Sequence, residues 1–136
     1  MAIASPTPSP PSDLTAQLPS LGLYVHWPFC AAICPYCDFN VPLLRAPFVS
    51  DDVAVWQSAY ARELDHAFRM RPQGPVETVF FGGGTPSLMS PDLVGGILQA
   101  VDARWGLAAN AEVTLEANPM SAPKAHLKDL RDAGVT

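Results

Sequence analysis

The chain alternates between two hydrophobic periods, and this alternation predicts its secondary structure. Short runs rich in β-branched and aromatic residues predict strands at Leu21–His26, Val76–Phe81 and Ala111–Ala117. The longer segments between them carry apolar residues three and four positions apart, the period of a helix with one buried face. The pattern therefore predicts strands that alternate with amphipathic helices.

The first two helices are predicted from their ends and their apolar stripes. The first starts near Ser50, and the second has Ser90 as its N-cap and Pro91 at its first position. Gly95 and Gly96 lie inside the second helix, where close packing on the sheet would account for two residues without side chains. The stripes are Val53, Trp56, Tyr60, Leu64, Ala67 and Phe68, then Leu93, Val94, Ile97, Leu98, Val101 and Trp105.

A third helix is predicted over about Ala122–Ala133, with Ser121 as its cap and Gly134 just after its end. Leu127 and Leu130 are its expected core residues. The order β-α-β-α-β-α then predicts an α/β fold with a parallel sheet and right-handed crossovers. The last two residues, 135–136, predict the first step of a fourth strand.

Three segments that could carry chemistry each follow a predicted strand. A cysteine loop follows the first strand, a glycine run follows the second, and Glu116 lies near the end of the third. The carboxyl ends of parallel strands meet at one edge of a sheet, where α/β proteins bind their ligands. We therefore expect these segments to form one site.

All three cysteines of the chain, Cys30, Cys34 and Cys37, lie in the first of these segments. Pro28 and Pro35 argue against a helix there and favour a loop around a metal centre. Three thiolates would leave one iron of an iron–sulfur cubane without a protein ligand. A Cys₃His zinc site with His26 is the alternative, although a structural role is the simpler interpretation of this histidine.

The glycine run, Gly82-Gly83-Gly84-Thr85-Pro86, matches neither a phosphate loop nor the dinucleotide pattern, because no Gly-Lys-Ser/Thr follows and residue 87 is Ser. A strand-to-helix turn needs fewer than three glycines. The run therefore predicts backbone amides and carbonyls exposed to a small molecule. Glu116 is either an exposed carboxylate or the partner of a ribose or amino group.

Composition limits the partners and the compartment. The net charge of -5 and the lack of a basic patch argue against nucleic acid. Residues 1–20 are rich in Pro and Ser and predict a disordered tail. No apolar run reaches the roughly 20 residues that span a bilayer. Clustered cysteines in odd number favour a reducing compartment, so we expect a cytoplasmic protein.

Three motifs resemble those of one protein family. Tyr-Val-His-Trp-Pro-Phe-Cys-x₃-Cys-x₂-Cys at 24–37 is similar to the signature of radical S-adenosylmethionine (SAM) enzymes. Phe-Gly-Gly-Gly-Thr-Pro-Ser at 81–87 and Glu-Ala-Asn-Pro at 116–119 resemble the oxygen-independent coproporphyrinogen III oxidase group. The resemblance implies that residues 21–136 form the N-terminal half of a partial (β/α)₆ barrel, a truncated core domain with an exposed edge at the third strand.

The same resemblance implies a cofactor site. Cys30, Cys34 and Cys37 would hold a [4Fe–4S] cluster, and SAM would chelate the fourth iron through its amino and carboxylate groups. In this family the cofactor carries the chemistry, which is reductive cleavage of SAM. The residues implied to contact SAM are Tyr24, Tyr36, Gly83, Gly84, Thr85 and Glu116.

The resemblance also implies a branch within the group. The oxidases tend to carry a further cysteine where this chain has Phe39, whereas Cys-Asp-Phe-Asn at 37–40 is more similar to the heme chaperone (HemW-like) branch. We therefore expect a protein that binds heme and passes it to heme proteins, with a reductant as a further partner. Oxidation of coproporphyrinogen III is one alternative, which leaves open whether the protein is an enzyme. A non-catalytic zinc-binding module is the alternative of another class.

Overall fold

A computed structural model describes residues 20–44, 50–71, 73–119 and 122–136. The tail predicted for residues 1–20 therefore lies outside the described residues except for Ser20, and so does Ser121, the predicted cap of the third helix. The elements alternate as predicted. They are β1 (Leu21–Trp27), α1 (Ser50–Met70), β2 (Val76–Gly83), a 3₁₀ turn (Pro86–Leu88), α2 (Pro91–Trp105), β3 (Leu107–Leu115) and α3 (Lys124–Asp132).

The three strands form one parallel sheet in the order β1-β2-β3, which confirms the predicted fold class. The helices pack on one face of this sheet, because the alternate strand residues that point toward them are buried with the apolar stripes of the helices. That core consists of Val25, Trp27, Leu64, Val76, Val79, Phe81, Met89, Leu93, Val94, Ile97, Leu98, Val101, Val113 and Leu130.

Helix α2 begins as its sequence predicts. The Ser90 hydroxyl accepts a hydrogen bond from the Leu93 amide at 3.1 Å, and Pro91 follows the cap. The explanation predicted for its glycines is wrong, because they face other helices and not the sheet. A Cβ on Gly96 would lie 2.6 Å from the Gln57 side chain of α1, and the nearest neighbour of Gly95 is Ala133 beyond α3. Small residues here let the helices approach one another.

Several predicted boundaries differ from those in the structure. Strand β3 begins at Leu107, which pairs with Val76, and ends at Leu115, so Glu116 stands just beyond the strand. Helix α3 starts at Lys124 and not at residue 122, because the residue before Pro123 is disfavoured in the helical region. Strands β1 and β2 run one and two residues beyond their predicted ends.

The end of α3 positions the last residues beside the sheet. Gly134 has φ +118 and follows the helix as predicted, whereas Leu127 is 39% exposed and Leu130 is the core residue of this helix. The Thr136 amide donates to the Val113 carbonyl of β3 at 3.0 Å, but residues 135–136 do not form the predicted first step of a fourth strand. Within the described ranges, no helix combines the length and apolarity that a membrane crossing requires.

Candidate functional site

The first cysteine is held by backbone hydrogen bonds on both sides. The Cys30 amide donates to the Pro42 carbonyl at 3.1 Å, and the Cys30 carbonyl accepts from the Leu44 amide at 2.8 Å. Cys30 is only 7% exposed. The loop therefore folds back on itself at this residue, in an isolated bridge between Cys30 and Leu43.

The other two cysteines lie on a short turn. The Cys37 amide donates to the Cys34 carbonyl at 3.0 Å, and both side chains are half-buried free thiols. Tyr36 between them is 85% exposed. A hydrogen bond to Cys34 raises the pKa of Tyr36 above its ordinary value, and the nearby Cys34 charge acts in the same direction. The turn thus presents two thiols and one aromatic ring.

The glycine run is fixed to the start of the cysteine loop. The Gly84 amide donates to the Trp27 carbonyl at 2.6 Å, and the Thr85 amide donates to the Phe29 carbonyl at 2.8 Å. A Cβ on Gly84 would lie 2.5 Å from the Phe29 oxygen, so glycine is required for this close approach. Gly83 has φ +118, a region that favours glycine.

Glu116 is held from three directions. Its amide donates to the Phe81 carbonyl at 3.0 Å, and its carbonyl accepts from the Ser87 amide at 3.1 Å. Its carboxylate oxygen Oε2 accepts from the Gly83 amide at 3.1 Å. The glycine run was predicted to offer free amides to a ligand, and this is wrong at Gly83, Gly84 and Thr85. Their amides are all used within the protein, and the Thr85 carbonyl also accepts a hydrogen bond, from the Leu88 amide at 3.0 Å.

One cavity of about 410 Å³ brings these segments together. The cysteine loop, the glycine run and Glu116 meet at the carboxyl edge of the sheet, as the strand order predicts. Ala117, Asn118 and Pro119 also line the cavity. Eight of the nine residues singled out from the sequence are among its lining residues, namely Cys30, Cys34, Cys37, Tyr36, Gly83, Gly84, Thr85 and Glu116.

Tyr24 is the exception. Its ring lies on the helix-free face of the sheet, over Gly82, and is 61% exposed. His26 lies on the same face, beside Gly83 and not among the residues that line the cavity. In the described part of the chain, no three His, Cys, Asp or Glu side chains converge on the position of a single metal ion. His26 is not among the residues that line the cavity with the three cysteines, and this placement separates it from a Cys₃His set.

Sequence reasoning did not identify the aromatic cluster that packs beneath the site. Trp27, Phe29, Trp56 and Tyr60 form a continuous aromatic cluster under the cysteine loop, with ring centroids 5.2–6.0 Å apart. The Tyr60 hydroxyl donates to the His26 carbonyl at 2.6 Å. Of these residues, Trp56 and Tyr60 were predicted as core from helical spacing, and only the tertiary packing reveals that they lie against Trp27 and Phe29 at the start of the loop.

The segment after Glu116 is tied to the turn that follows the glycine run. The Asn118 amide donates to the Ser87 hydroxyl at 3.4 Å, and the ring nitrogen Nε2 of His126 lies 2.9 Å from the Ser87 carbonyl. Ser87 is 1% exposed. The motifs at 81–87 and 116–119 are therefore one structural unit, a relation that their separation in the sequence conceals.

Comparison with known proteins identifies the family to which the chain is similar. Residues 24–136 match the Radical SAM superfamily. The chain is 41% identical over 119 residues to the heme chaperone HemW of Escherichia coli (strain K12), covering 88% of this chain and 31% of that protein. It is 43% identical over 126 residues to the mitochondrial radical S-adenosyl methionine domain-containing protein 1 of Mus musculus, covering 93% of this chain and 27% of that protein.

A solved structure from the same superfamily also matches the fold of this chain. Coproporphyrinogen III oxidase (HemN) from Escherichia coli, described as a radical SAM enzyme, matches with a TM-score of 0.73 and 25% identity over 88% of this chain and 26% of that chain. The chain thus spans about a third or less of the length of these relatives. A family match that covers residues 24–136, with relatives above 40% identity, shows that the chain belongs to the radical SAM superfamily, in the HemN/HemW-like group.

Proposed function

We propose that the chain forms the cluster-binding and SAM-binding part of a heme chaperone, a radical SAM protein that binds heme and transfers it to heme proteins. The observation that carries the cofactor part is one cavity that is lined by three free thiols, the glycine run and one carboxylate. Three thiols without a fourth protein ligand suit a cubane with one open iron. The donor set therefore fits a [4Fe–4S] cluster.

Cys30, Cys34 and Cys37 would hold the cluster, and the fourth iron would remain for the amino and carboxylate groups of SAM. Together, the bound cluster and SAM supply one-electron chemistry at the cavity, with a reductant as the electron source. The task of this chain's own residues is to bind and orient SAM. Tyr36, Gly83, Gly84 and Thr85 would contact it along the cavity, and Tyr24 would reach it from the sheet face.

Glu116 is the best-positioned of these residues. Because its Oε2 accepts the Gly83 amide, the carboxylate is fixed at the cavity wall before any ligand arrives. A fixed carboxylate binds an ammonium group or a ribose hydroxyl by a charge-assisted hydrogen bond, which is about twice as strong as a neutral one. We assign Glu116 the role of orienting the amino group or ribose of SAM.

The heme-transfer part rests on two observations. The chain is 41% identical to a protein named as a heme chaperone. In addition, Phe39 stands where the coproporphyrinogen oxidases tend to carry a further cysteine, and it is 76% exposed at the cavity. Hemin titration of the cluster-loaded chain, followed by transfer to an apo-heme protein, tests this part. Binding without release to any acceptor would contradict transfer.

Oxidation of coproporphyrinogen III is the second candidate, favoured by the structural match with a TM-score of 0.73. An anaerobic assay with SAM, a reductant and coproporphyrinogen III distinguishes the two. The heme-transfer function predicts no loss of the substrate's propionate carboxyl groups as CO₂. Stoichiometric decarboxylation would replace the first candidate with the second.

A further inference from the structure

A hydrogen-bonded junction at Ser87 lies directly behind one wall of the cavity. The Ser87 amide donates to the Glu116 carbonyl at 3.1 Å, and its hydroxyl accepts from the Asn118 amide at 3.4 Å. Its carbonyl lies 2.9 Å from Nε2 of His126 on α3. Ser87 is 1% exposed and is not among the residues that line the cavity, whereas Glu116 and Asn118 are. The junction therefore supports the wall from inside the protein.

His126 is the donor in this junction. A carbonyl oxygen can only accept a hydrogen bond, so Nε2 of His126 must carry a proton, either in the neutral ring or in the imidazolium. The ring is half-buried and is not among the cavity-lining residues. Its influence on a ligand in the cavity must therefore pass through Ser87.

The residue that this influence would reach is Glu116. Its amide donates to the Phe81 carbonyl, its Oε2 accepts from the Gly83 amide, and its carbonyl accepts from the Ser87 amide. A buried carbonyl that loses its donor is costly, so the chain moves until the oxygen meets water or another donor. Without the His126 donor, we therefore expect the Ser87 turn to shift and to move the Glu116 carboxylate with it.

We infer that His126 is a positioning residue for SAM binding, which fixes the Glu116 carboxylate through Ser87. This inference rests on the proposed SAM-binding function and adds a residue that acts on the site from outside the cavity. It makes α3 part of the support of the site. It also specifies what the side chain supplies, which is an N–H donor at the position of Nε2.

The test is a calorimetric titration of the cluster-loaded full chain with SAM. His126→Ala should bind SAM roughly three- to tenfold more weakly, the size expected when one hydrogen bond is lost. His126→Phe, which keeps a ring without the donor, should match His126→Ala. His126→Gln restores an N–H donor and should bind SAM within about twofold of the wild type. Lys128→Ala is the matched control, because it removes only an exposed ion pair with Asp132 on the same helix.

The control should bind SAM like the wild type, and all variants should keep the wild-type iron and sulfide content. Wild-type SAM affinity in His126→Ala and His126→Phe would overturn the inference. So would a His126→Gln variant as weak as His126→Ala, because the donor would then not be what matters. A wild-type chain that holds its cluster but binds no SAM would instead overturn the proposed function.

A double-mutant cycle tests the route through the carboxylate. In a Glu116→Gln background, His126→Ala should cause less than about a twofold further loss of SAM affinity, because the charge that His126 positions is already gone. Fully additive losses would show that His126 does not act through Glu116 and would overturn the route.

Discussion

The two halves of the cysteine loop are held in different ways. In the anchored half, residues 27–30, the Trp27 and Phe29 carbonyls accept hydrogen bonds from the Gly84 and Thr85 amides at 2.6 and 2.8 Å. Cys30 in this half is 7% exposed. In the turn half, residues 33–39, the backbone hydrogen bond is a local one from Cys37 to Cys34, and Ile33, Tyr36 and Phe39 are 66–85% exposed. The sheet positions one thiol, whereas the other two depend on a short turn.

The difference matters because a cluster needs all three thiols at once. The anchored half is preorganised by the same hydrogen bonds that hold the glycine run. The turn half has few contacts of its own, so metal binding must supply part of the free energy that orders it. Substitutions in the anchored half should therefore lower the stability of the fold, whereas substitutions in the turn half should lower the cluster content.

The largest expected effect is in the turn half. Cys34→Ala should abolish cluster assembly, because one thiolate ligand is lost, while the melting temperature of the cluster-free chain changes by less than about 2 °C. Iron and sulfide analysis and thermal melting measure the two effects. Val55→Ala, at an exposed position on α1, is the control and should keep the full cluster. A full cluster in Cys34→Ala would mean that the ligand assignment is wrong.

In the anchored half, Gly84→Ala should destabilise the cluster-free fold by about 3 kcal/mol, because the new methyl group would overlap the Phe29 carbonyl. Gly95→Ala in α2 is the matched control, since its nearest contact would be an ordinary 3.6 Å and alanine is the better helix former. That control should gain roughly 0.5–1 kcal/mol. Equal unfolding midpoints in urea for the two variants would contradict the account.

Glu116→Gln should leave the fold and cluster intact and weaken SAM binding by about ten- to a hundredfold, since the amide oxygen can still accept the Gly83 amide but the charge is lost. Calorimetric titration with SAM measures this loss. Glu112→Gln changes an exposed carboxylate on β3, the strand that ends just before Glu116, and this control should bind SAM like the wild type. Unchanged affinity in Glu116→Gln would remove Glu116 from the SAM site.

The smallest effect concerns the aromatic cluster under the anchored half. Tyr60→Phe removes the hydrogen bond to the His26 carbonyl and should cost about 1 kcal/mol. Burial raises the pKa of Tyr60 to about 12, above its ordinary value near 10. The protonated phenol thus stabilises the fold below about pH 10, and this stabilisation is lost as pH rises toward 12.

Stability measured between pH 9 and 12 checks this sign. The wild type should lose more stability than Tyr60→Phe over that range, and the difference between them should shrink as pH rises. Parallel pH profiles for the two proteins would show that the phenol does not contribute in this way.

The strand order and the start of α2 are the features that the sequence predicted best. Strand order alone brings the cysteine loop, the glycine run and Glu116 to one edge, and the Ser90-Pro91 start of α2 is a local signal that tertiary contacts do not override. The role of the glycines could not be predicted, because the Phe29 carbonyl that excludes a side chain at Gly84 is more than fifty residues away in the sequence. Gly95 and Gly96 were assigned to the wrong neighbour for the same reason.

The placement of the Tyr24 and His26 rings lies beyond what spacing can predict. His26 alternates with Tyr24 along β1, but their proximity to Phe80 depends on the register between β1 and β2. Tyr24 itself lies outside the cavity lining, a placement that the motif does not reveal.

The most direct test is anaerobic reconstitution of the full chain, followed by metal analysis and electron paramagnetic resonance of the reduced protein with and without SAM. The account predicts about four iron and about four sulfide per chain, and a spectrum that changes when SAM is added. One zinc per chain without sulfide, or a full cluster whose spectrum SAM leaves unchanged, would contradict it.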